Sequence, residues 1–323
     1  MCMWGCLDSG RMNITFVHDL DTGFLAATLK EPLQKLGHNV KIVQTLITQI
    51  EGEQSSHIDI HTGALKTDAD FQQVQEVFRE TEFFIIRSIS DVALRTLKVF
   101  DHANHTNAIY KVHGSELREQ GNPYSLTAWR TLPHPLVVCG PRDPSLIPLY
   151  RGNVITHIER PCDFDIFPKR KAESPPFALH TPTNPARKGT QSLKDSWKNK
   201  DIPLEIMSAL PRAQILKRKS QASFYIDNAG DYAHGPYGMN SVEAWFYKIP
   251  VFSTYSHIDT VLCPELEYLV YNIKNINALN DHAYDSKRMN KCKQYAITTH
   301  NKHTIAKQYI ALAYHLKEKD EHQ

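Results

Sequence analysis

Short apolar runs rich in β-branched residues alternate along the chain with longer stretches whose apolar positions have helical spacing. This alternation predicts strand-helix units around parallel sheets. In the first half the runs are Asn13 to Val17, Asn39 to Val43, Phe83 to Arg87, Ala108 to Val112, Pro135 to Cys139 and Asn153 to His157, enough for one sheet. The pattern restarts with Phe177 to His180, Pro203 to Met207, Ala222 to Ile226 and Pro250 to Ser253. Between the first two runs, Leu25, Leu29, Leu33 and Leu36 line one helical face, Gly37 supplies the stop and Pro32 predicts a kink. Near the end a helix is expected from about Thr304 to Lys317, with Ile305, Tyr309, Ala313 and Leu316 on one face.

The chain has 323 residues, 41% of them hydrophobic and 22% charged, which excludes disorder, collagen-like repeats and a disulfide scaffold. At about 150 residues per domain, the length suggests two domains. The expected fold is α/β, with two facing Rossmann-like doubly wound domains and a C-terminal helix crossing back to the first. Residues 12–160 form the first domain, 161–176 a proline-rich linker, 177–297 the second domain and 298–323 the returning helix. Residues 1–11 are expected to be an unstructured extension. Cysteines 2, 6, 139, 162, 263 and 292 are scattered, with no C-x-x-C pair. No transmembrane run or signal-peptide pattern is found, and a cytoplasmic location is expected.

The net charge of +2 conceals a division. Residues 1–160 carry 15 basic and 18 acidic side chains, whereas 161–219 carry 12 and 6, so an anionic ligand is expected on the second half. Ligands of open parallel sheets bind beyond the carboxyl ends of the strands, which confines the search to the residues after each run. Gly23 opens the helix after the first strand. His113 to Arg118 packs an imidazole, a glycine, a carboxylate and a guanidinium behind another strand end. Arg187 and Lys188 precede a helix beginning at Gly189, where cations oppose the helix dipole unless an anion is bound; the plain alternative is a surface basic pair. The glycine-bearing turn Gly235-Pro236-Tyr237-Gly238 leads into a helix that starts at Met239 and Asn240. Inside that helix, Glu243 is flanked by Val242, Ala244 and Trp245, so its carboxylate needs buried partners.

These segments, in this order, resemble the retaining nucleotide-sugar glycosyltransferases of the GT-B fold, particularly short members of glycosyltransferase family 4. The resemblance runs through Leu36 to Val40, His113 to Arg118, Arg160 to Asp165, Lys188-Gly189-Thr190 and the more specific block from Tyr225 through Gly238, Val242-Glu243-Ala244 and Ile249-Pro250-Val251. It implies that Lys188, helped by Arg187, binds the donor diphosphate and that Glu243 holds the donor ribose. Gly238, Met239 and Asn240 would offer backbone amides, Gly235 and Tyr237 would lie near the sugar, and His113 and Gly23 would face them from the first domain. The chain departs from the family at Gly235, where many members have a second glutamate. Thr183 and Asn184 occupy the region of the usual phosphate-binding arginine.

The implied reaction transfers a sugar from a nucleotide-sugar such as a UDP- or GDP-sugar to a glycan, lipid-linked or other small hydroxyl acceptor, with His113 and Lys188 as the catalytic candidates. No cofactor is expected. Asp19 and Asp21 stand too isolated to suggest a metal site, so a metal-independent route is expected. The alternatives are a nucleotide-sugar epimerase, a phage-type DNA-base glucosyltransferase and a non-catalytic nucleotide-sugar-binding module. Nucleic acid is the less favoured acceptor because the acceptor-side half is net acidic.

Overall fold

The alternation resolves into two parallel sheets in the computed structural model, which describes residues 10–18, 25–44, 59–61, 68–87, 99–103, 107–111, 135–138, 155–230, 236–273 and 285–321. The first sheet contains β1 (Asn13–His18), β2 (Asn39–Gln44), β3 (Ile60–His61), β4 (Phe83–Arg87), β5 (Ala108–Lys111), β6 (Leu136–Val138) and β7 (Ile155–His157). Its order is β3-β2-β1-β4-β5-β6-β7, so the winding reverses between β1 and β4. The second contains β8 (Ala178–His180), β9 (Leu204–Ile206), β10 (Phe224–Asn228), β11 (Val251–Ser253) and β12 (Tyr271–Asn272), in the order β12-β11-β10-β8-β9. Its reversal falls between β8 and β10. The helices are α1 (Leu25–Lys35), α2 (Asp68–Glu80), α3 (Val99–His102), α4 (Thr190–Trp197), α5 (Arg212–Lys219), α6 (Met239–Phe246), α7 (His257–Leu262), α8 (Leu266–Leu269), α9 (Ser286–His300) and α10 (Lys302–Glu321). None of those described is long and apolar enough to cross a membrane.

Residues along each central strand of the first sheet alternate between two cores, because successive side chains of a strand point to opposite faces. Ile14, Phe16, Ile42, Phe83, Ile85 and Ile109 pack with Leu25, Leu29 and Leu33 of α1 on one face. Val17, Val43, Phe84, Ile86 and Tyr110 meet Val74 and Phe78 of α2 on the other. The second sheet has a single core, built from β8, β10, β11, α4, α6, α8 and α9 around Trp245.

Several boundaries differ from the sequence pattern. Leu36 lies beyond the end of α1 and is 36% exposed, because the chain turns there into Gly37 at φ +93°. The helix is continuous through the buried Pro32. β10 is displaced to Phe224–Asn228, since the Ala222 amide closes a turn onto Lys219 O and the Ser223 amide goes to Phe177 O. The two-residue strands β3 and β12 are too short to leave a periodic signal. Residues 161–176 are not a bare spacer: Arg170 Nη1 donates to Ser220 O and Ala222 O, and Phe164 and Phe167 pack on Phe246 of α6.

The returning helix α10 lays Ile305, Ala306, Tyr309, Ile310, Ala313 and Leu316 into the core shared by α1 and the first sheet. Asn301 sets its start by accepting the His303 and Thr304 amides on its side-chain oxygen. Beside this cap, Lys302 Nζ reaches Glu31 of α1 at 3.0 Å and Asp163 and Asp165 of the linker at 2.9 Å each. Burial opposes the lysine's charge, but the three carboxylates together hold its pKa above the ordinary value. The Asp-x-Asp spacing at 163 and 165 is therefore engaged by a lysine of the same chain. Ile305→Ala should cost about 2–5 kcal/mol in chemical unfolding, whereas Lys307→Ala on the exposed face of α10 should change stability by less than about 0.5 kcal/mol.

Candidate functional site

The reversal between β8 and β10 brings two strand-end loops together. Gly189 ends the first loop at φ +66° and caps α4; a Cβ there would lie 2.3 Å from Gly230 N. Gly230 is confined from the other side, where an added Cβ would lie 2.8 Å from Arg187 O. The absence of both side chains lets the Ala229 amide donate to Lys188 O at 3.0 Å, which stitches the loops together.

This stitching places Lys188 over the end of β10. Its Nζ lies 2.8 Å from Asp227 Oδ1. Asp227 Oδ2 accepts the Gly238 amide at 2.7 Å and the Ser241 hydroxyl at 2.5 Å. The carboxylate thus joins the first loop to the turn that starts α6. Asp227 is buried, which by itself would raise its pKa; Lys188, Ser241 and the Gly238 amide outweigh that and hold it below the ordinary carboxylate value.

One turn into α6, Glu243 faces the interior and is 5% exposed. Its Oε2 accepts Lys219 Nζ at 2.5 Å and its Oε1 accepts Arg212 Nη2 at 3.1 Å, both from α5. Burial would raise this carboxyl, and the two cations keep it below its ordinary value. Lys219 is fully buried; it also donates to Asn240 Oδ1 at 2.9 Å and lies 4.7 Å from the centre of the Tyr225 ring. Asn240 Nδ2 donates to Thr181 O, and the Thr181 and Tyr225 hydroxyls are 2.7 Å apart. Burial holds His180 below the ordinary imidazole value. As the neutral ring it donates from Nδ1 to Ile226 O and accepts the Thr190 hydroxyl at Nε2.

The residues singled out from sequence therefore divide into three groups. Lys188, Gly238, Met239, Asn240 and Glu243 converge on the β8–β10 reversal. Arg187 is exposed on the same loop, with its amide donating to Asn184 Oδ1. Tyr237 is turned into an aromatic cluster, 5.0 Å from the Trp245 ring and with its hydroxyl 3.2 Å from that of Tyr295. The Gly238 amide, expected to point at a ligand, is donated to Asp227. His113, Gly23 and Gly235 lie outside the described residues. Sequence reasoning missed Arg212, Lys219 and the pivotal role of Asp227. A helical stripe through Arg212, Leu216 and Lys219 was the available signal, since these positions share one face.

Among the described residues no group of three or more histidine, cysteine or acidic side chains could hold a metal ion. What the arrangement offers is cationic and amide chemistry for an anion. Lys188 presents three protons, of which Asp227 takes one; at the start of α6 the Ser241 and Val242 amides already donate to Gly238 O, and those of Met239 and Asn240 precede the first helical bond.

Two consequences can be measured. Gly189→Ala forces a left-handed backbone on a residue with a Cβ and drives that atom into Gly230; the loss in unfolding stability should exceed about 1–2 kcal/mol. The depressed pKa values of Asp227 and Glu243 mean that the unfolded chain binds protons first as pH falls. Their contribution is complete above the ordinary carboxylate value of about 4 and disappears as pH drops through the lower folded values. The melting temperature should therefore fall on the acid side of about pH 4, and Asp227→Asn should flatten that fall.

No family model matches the chain, and no curated protein matches it in sequence. Solved structures do. An α-glucosyltransferase in complex with UDP and a 13-mer DNA containing a central A:G mismatch superposes with a TM-score of 0.62 at 10% identity, covering 95% of this chain and 100% of that one. TarM gives 0.62 at 8% identity, covering 93% and 98%. The catalytic domain of starch synthase IV from Arabidopsis thaliana, bound to ADP and acarbose, gives 0.55 at 10% identity, covering 95% and 99%. With its two parallel α/β sheets and returning C-terminal helix, the chain has the GT-B fold of these proteins.

Proposed function

We propose that the protein is a glycosyltransferase that moves a sugar from a nucleotide-diphosphate donor to an acceptor hydroxyl. The observation that carries this reading is the convergence of Lys188, the N-terminus of α6 and Glu243 at the chain reversal of the second sheet in a GT-B fold. Lys188 binds the donor diphosphate with its remaining protons, steadied by Asp227 and assisted by Arg187. The amides of Met239 and Asn240 add the positive end of α6, and Gly238 acts by fixing that turn on Asp227. Glu243 accepts the ribose hydroxyls on lone pairs that Lys219 and Arg212 leave open.

The difficult event is departure of the diphosphate. Negative charge builds on the leaving oxygen, where a fixed ammonium group and helix amides stabilise it without reorganising. This supports a metal-independent route, and the family resemblance supports retention of anomeric configuration. The family resemblance adds His113 and Gly23 as first-domain candidates facing the donor and Gly235 and Tyr237 as candidates near the sugar. The acceptor is a glycan, lipid-linked or other small hydroxyl compound, and the scattered cysteines support work in the cytoplasm. Solved structures of this fold include one in complex with DNA, so a DNA acceptor belongs in any acceptor panel.

Thermal-shift and hydrolysis screening of UDP-, GDP- and ADP-sugars should identify one donor that stabilises the protein, because a ligand that binds only the folded state raises its stability. Lys188→Ala should then weaken donor binding by at least about tenfold, the worth of a charge-assisted phosphate contact, and abolish transfer. Full donor affinity and rate in that variant would refute the diphosphate assignment. Conversion of the donor into an epimeric nucleotide-sugar in the absence of any acceptor would instead identify an epimerase.

A further inference from the structure

Lys219 is a charge that the proposed function leaves unused. It is the last residue of α5, 0% exposed, and follows Lys217 and Arg218 in a run that a surface helix would ordinarily turn to water. Arg218 pairs with Glu205 and Glu173, whereas Lys219 turns inward. Its three protons have three acceptors: Glu243 Oε2 at 2.5 Å, Asn240 Oδ1 at 2.9 Å and Asn240 O at 3.3 Å. Tyr225 covers the ammonium group with its ring. A lysine enclosed in this way is rigid, and so is the carboxylate oxygen it holds.

The two oxygens of Glu243 are consequently unequal. Oε2 is fixed from beneath by a completely buried cation. Oε1 meets Arg212, whose side chain retains 18% exposure, so the two oxygens are held by cations of unequal burial. A carboxylate free to rotate about its last bond could not present one oxygen consistently to two neighbouring hydroxyl groups. One clamped at Oε2 can. Lys219 also ties Glu243 to Asn240 in the first turn of α6, and Asn240 in turn to Thr181 after β8, so carboxylate and helix N-terminus keep one spacing.

Resting on the donor-site reading above, we propose that Lys219 is a positioning residue for nucleotide recognition: by clamping Oε2 of Glu243 it makes the site selective for a ribose bearing both hydroxyls. It touches no substrate and acts through Glu243. The ligand class is a ribonucleoside diphosphate, alone or carrying a sugar. Arg212 holds the other oxygen, Oε1, at 3.1 Å from the more exposed side, so the fully buried end of the clamp is Lys219.

The test uses UDP, 2′-deoxy-UDP and inorganic pyrophosphate, or the equivalent set for whichever base the donor screen selects, titrated calorimetrically into the full chain. Wild type should bind the ribonucleotide at least about tenfold more tightly than its deoxy analogue, as expected for hydroxyls bonded to a charged group. Lys219→Met should bring that ratio close to one while changing pyrophosphate affinity less than about threefold, since Lys188 and α6 remain. Glu243→Gln should lose the preference as well. The double variant Lys219→Met/Glu243→Gln removes the Lys219–Glu243 charge pair together, leaving Arg212, whose side chain is 18% exposed, beside a neutral amide, and should lose no more than Glu243→Gln alone, as groups acting in series do. That comparison stands even where Lys219→Met by itself does not fold. A preference retained in Lys219→Met, or a further loss in the double variant, overturns the positioning role and leaves the function standing. A wild type that binds none of the nucleotides or pyrophosphate refutes the donor site, and the positioning role with it.

Discussion

Two carboxylates buried at the carboxyl end of the second sheet can stay ionised only because each is met by cations and hydrogen-bond donors from neighbouring elements. Asp227 has Lys188, Ser241 and the Gly238 amide; Glu243 has Lys219 and Arg212. An uncompensated charge at either position would be strongly destabilising, of order 3–5 kcal/mol when one partner of a buried pair is removed. The positions of α5, α6 and both strand-end loops follow from this requirement. Lys188 must reach β10, so Gly189 and Gly230 must be without side chains; Glu243 must face α5, so α6 begins where Asp227 holds Gly238.

The same requirement changes the meaning of the basic segment 161–219. Much of its charge is taken up internally: Lys188 by Asp227, Arg212 and Lys219 by Glu243, and Arg218 by Glu173 and Glu205. Asp227 and Glu243 lie just outside the segment, which is why its net charge overstates what a ligand meets. What remains for an anion is local: the protons of Lys188 that Asp227 does not take and the Met239 and Asn240 amides at the start of α6. A site of this kind suits a diphosphate better than a long polyanion.

Much of the fold is legible in the sequence because strands buried on both faces read as continuous apolar runs, as Phe83 to Arg87 does, and because α1 and α10 repeat leucine or mixed apolar positions at helical spacing. Helix α9 is hidden because its buried stripe consists of Met289, Cys292, Ala296 and His300, too small and mixed to stand out. In the site, Lys188 and Glu243 are marked by glycine turns and an apolar flank. Lys219 is not, since three consecutive basic residues look alike until the helix phase sends Arg218 to surface carboxylates and Lys219 beneath α6. Asp227 is visible at a strand end, but its role appears only when Lys188, 39 residues earlier, comes within 2.8 Å.

The most direct measurement is a crystal structure of the protein with the nucleoside diphosphate that raises its melting temperature most. The diphosphate should lie within hydrogen-bond reach of Lys188 Nζ and the first turn of α6, with the ribose hydroxyls on Glu243 Oε1 and the Lys219 clamp on Oε2 intact. A nucleotide bound elsewhere, with no phosphate within reach of Lys188 Nζ and no ligand against Glu243, would contradict it.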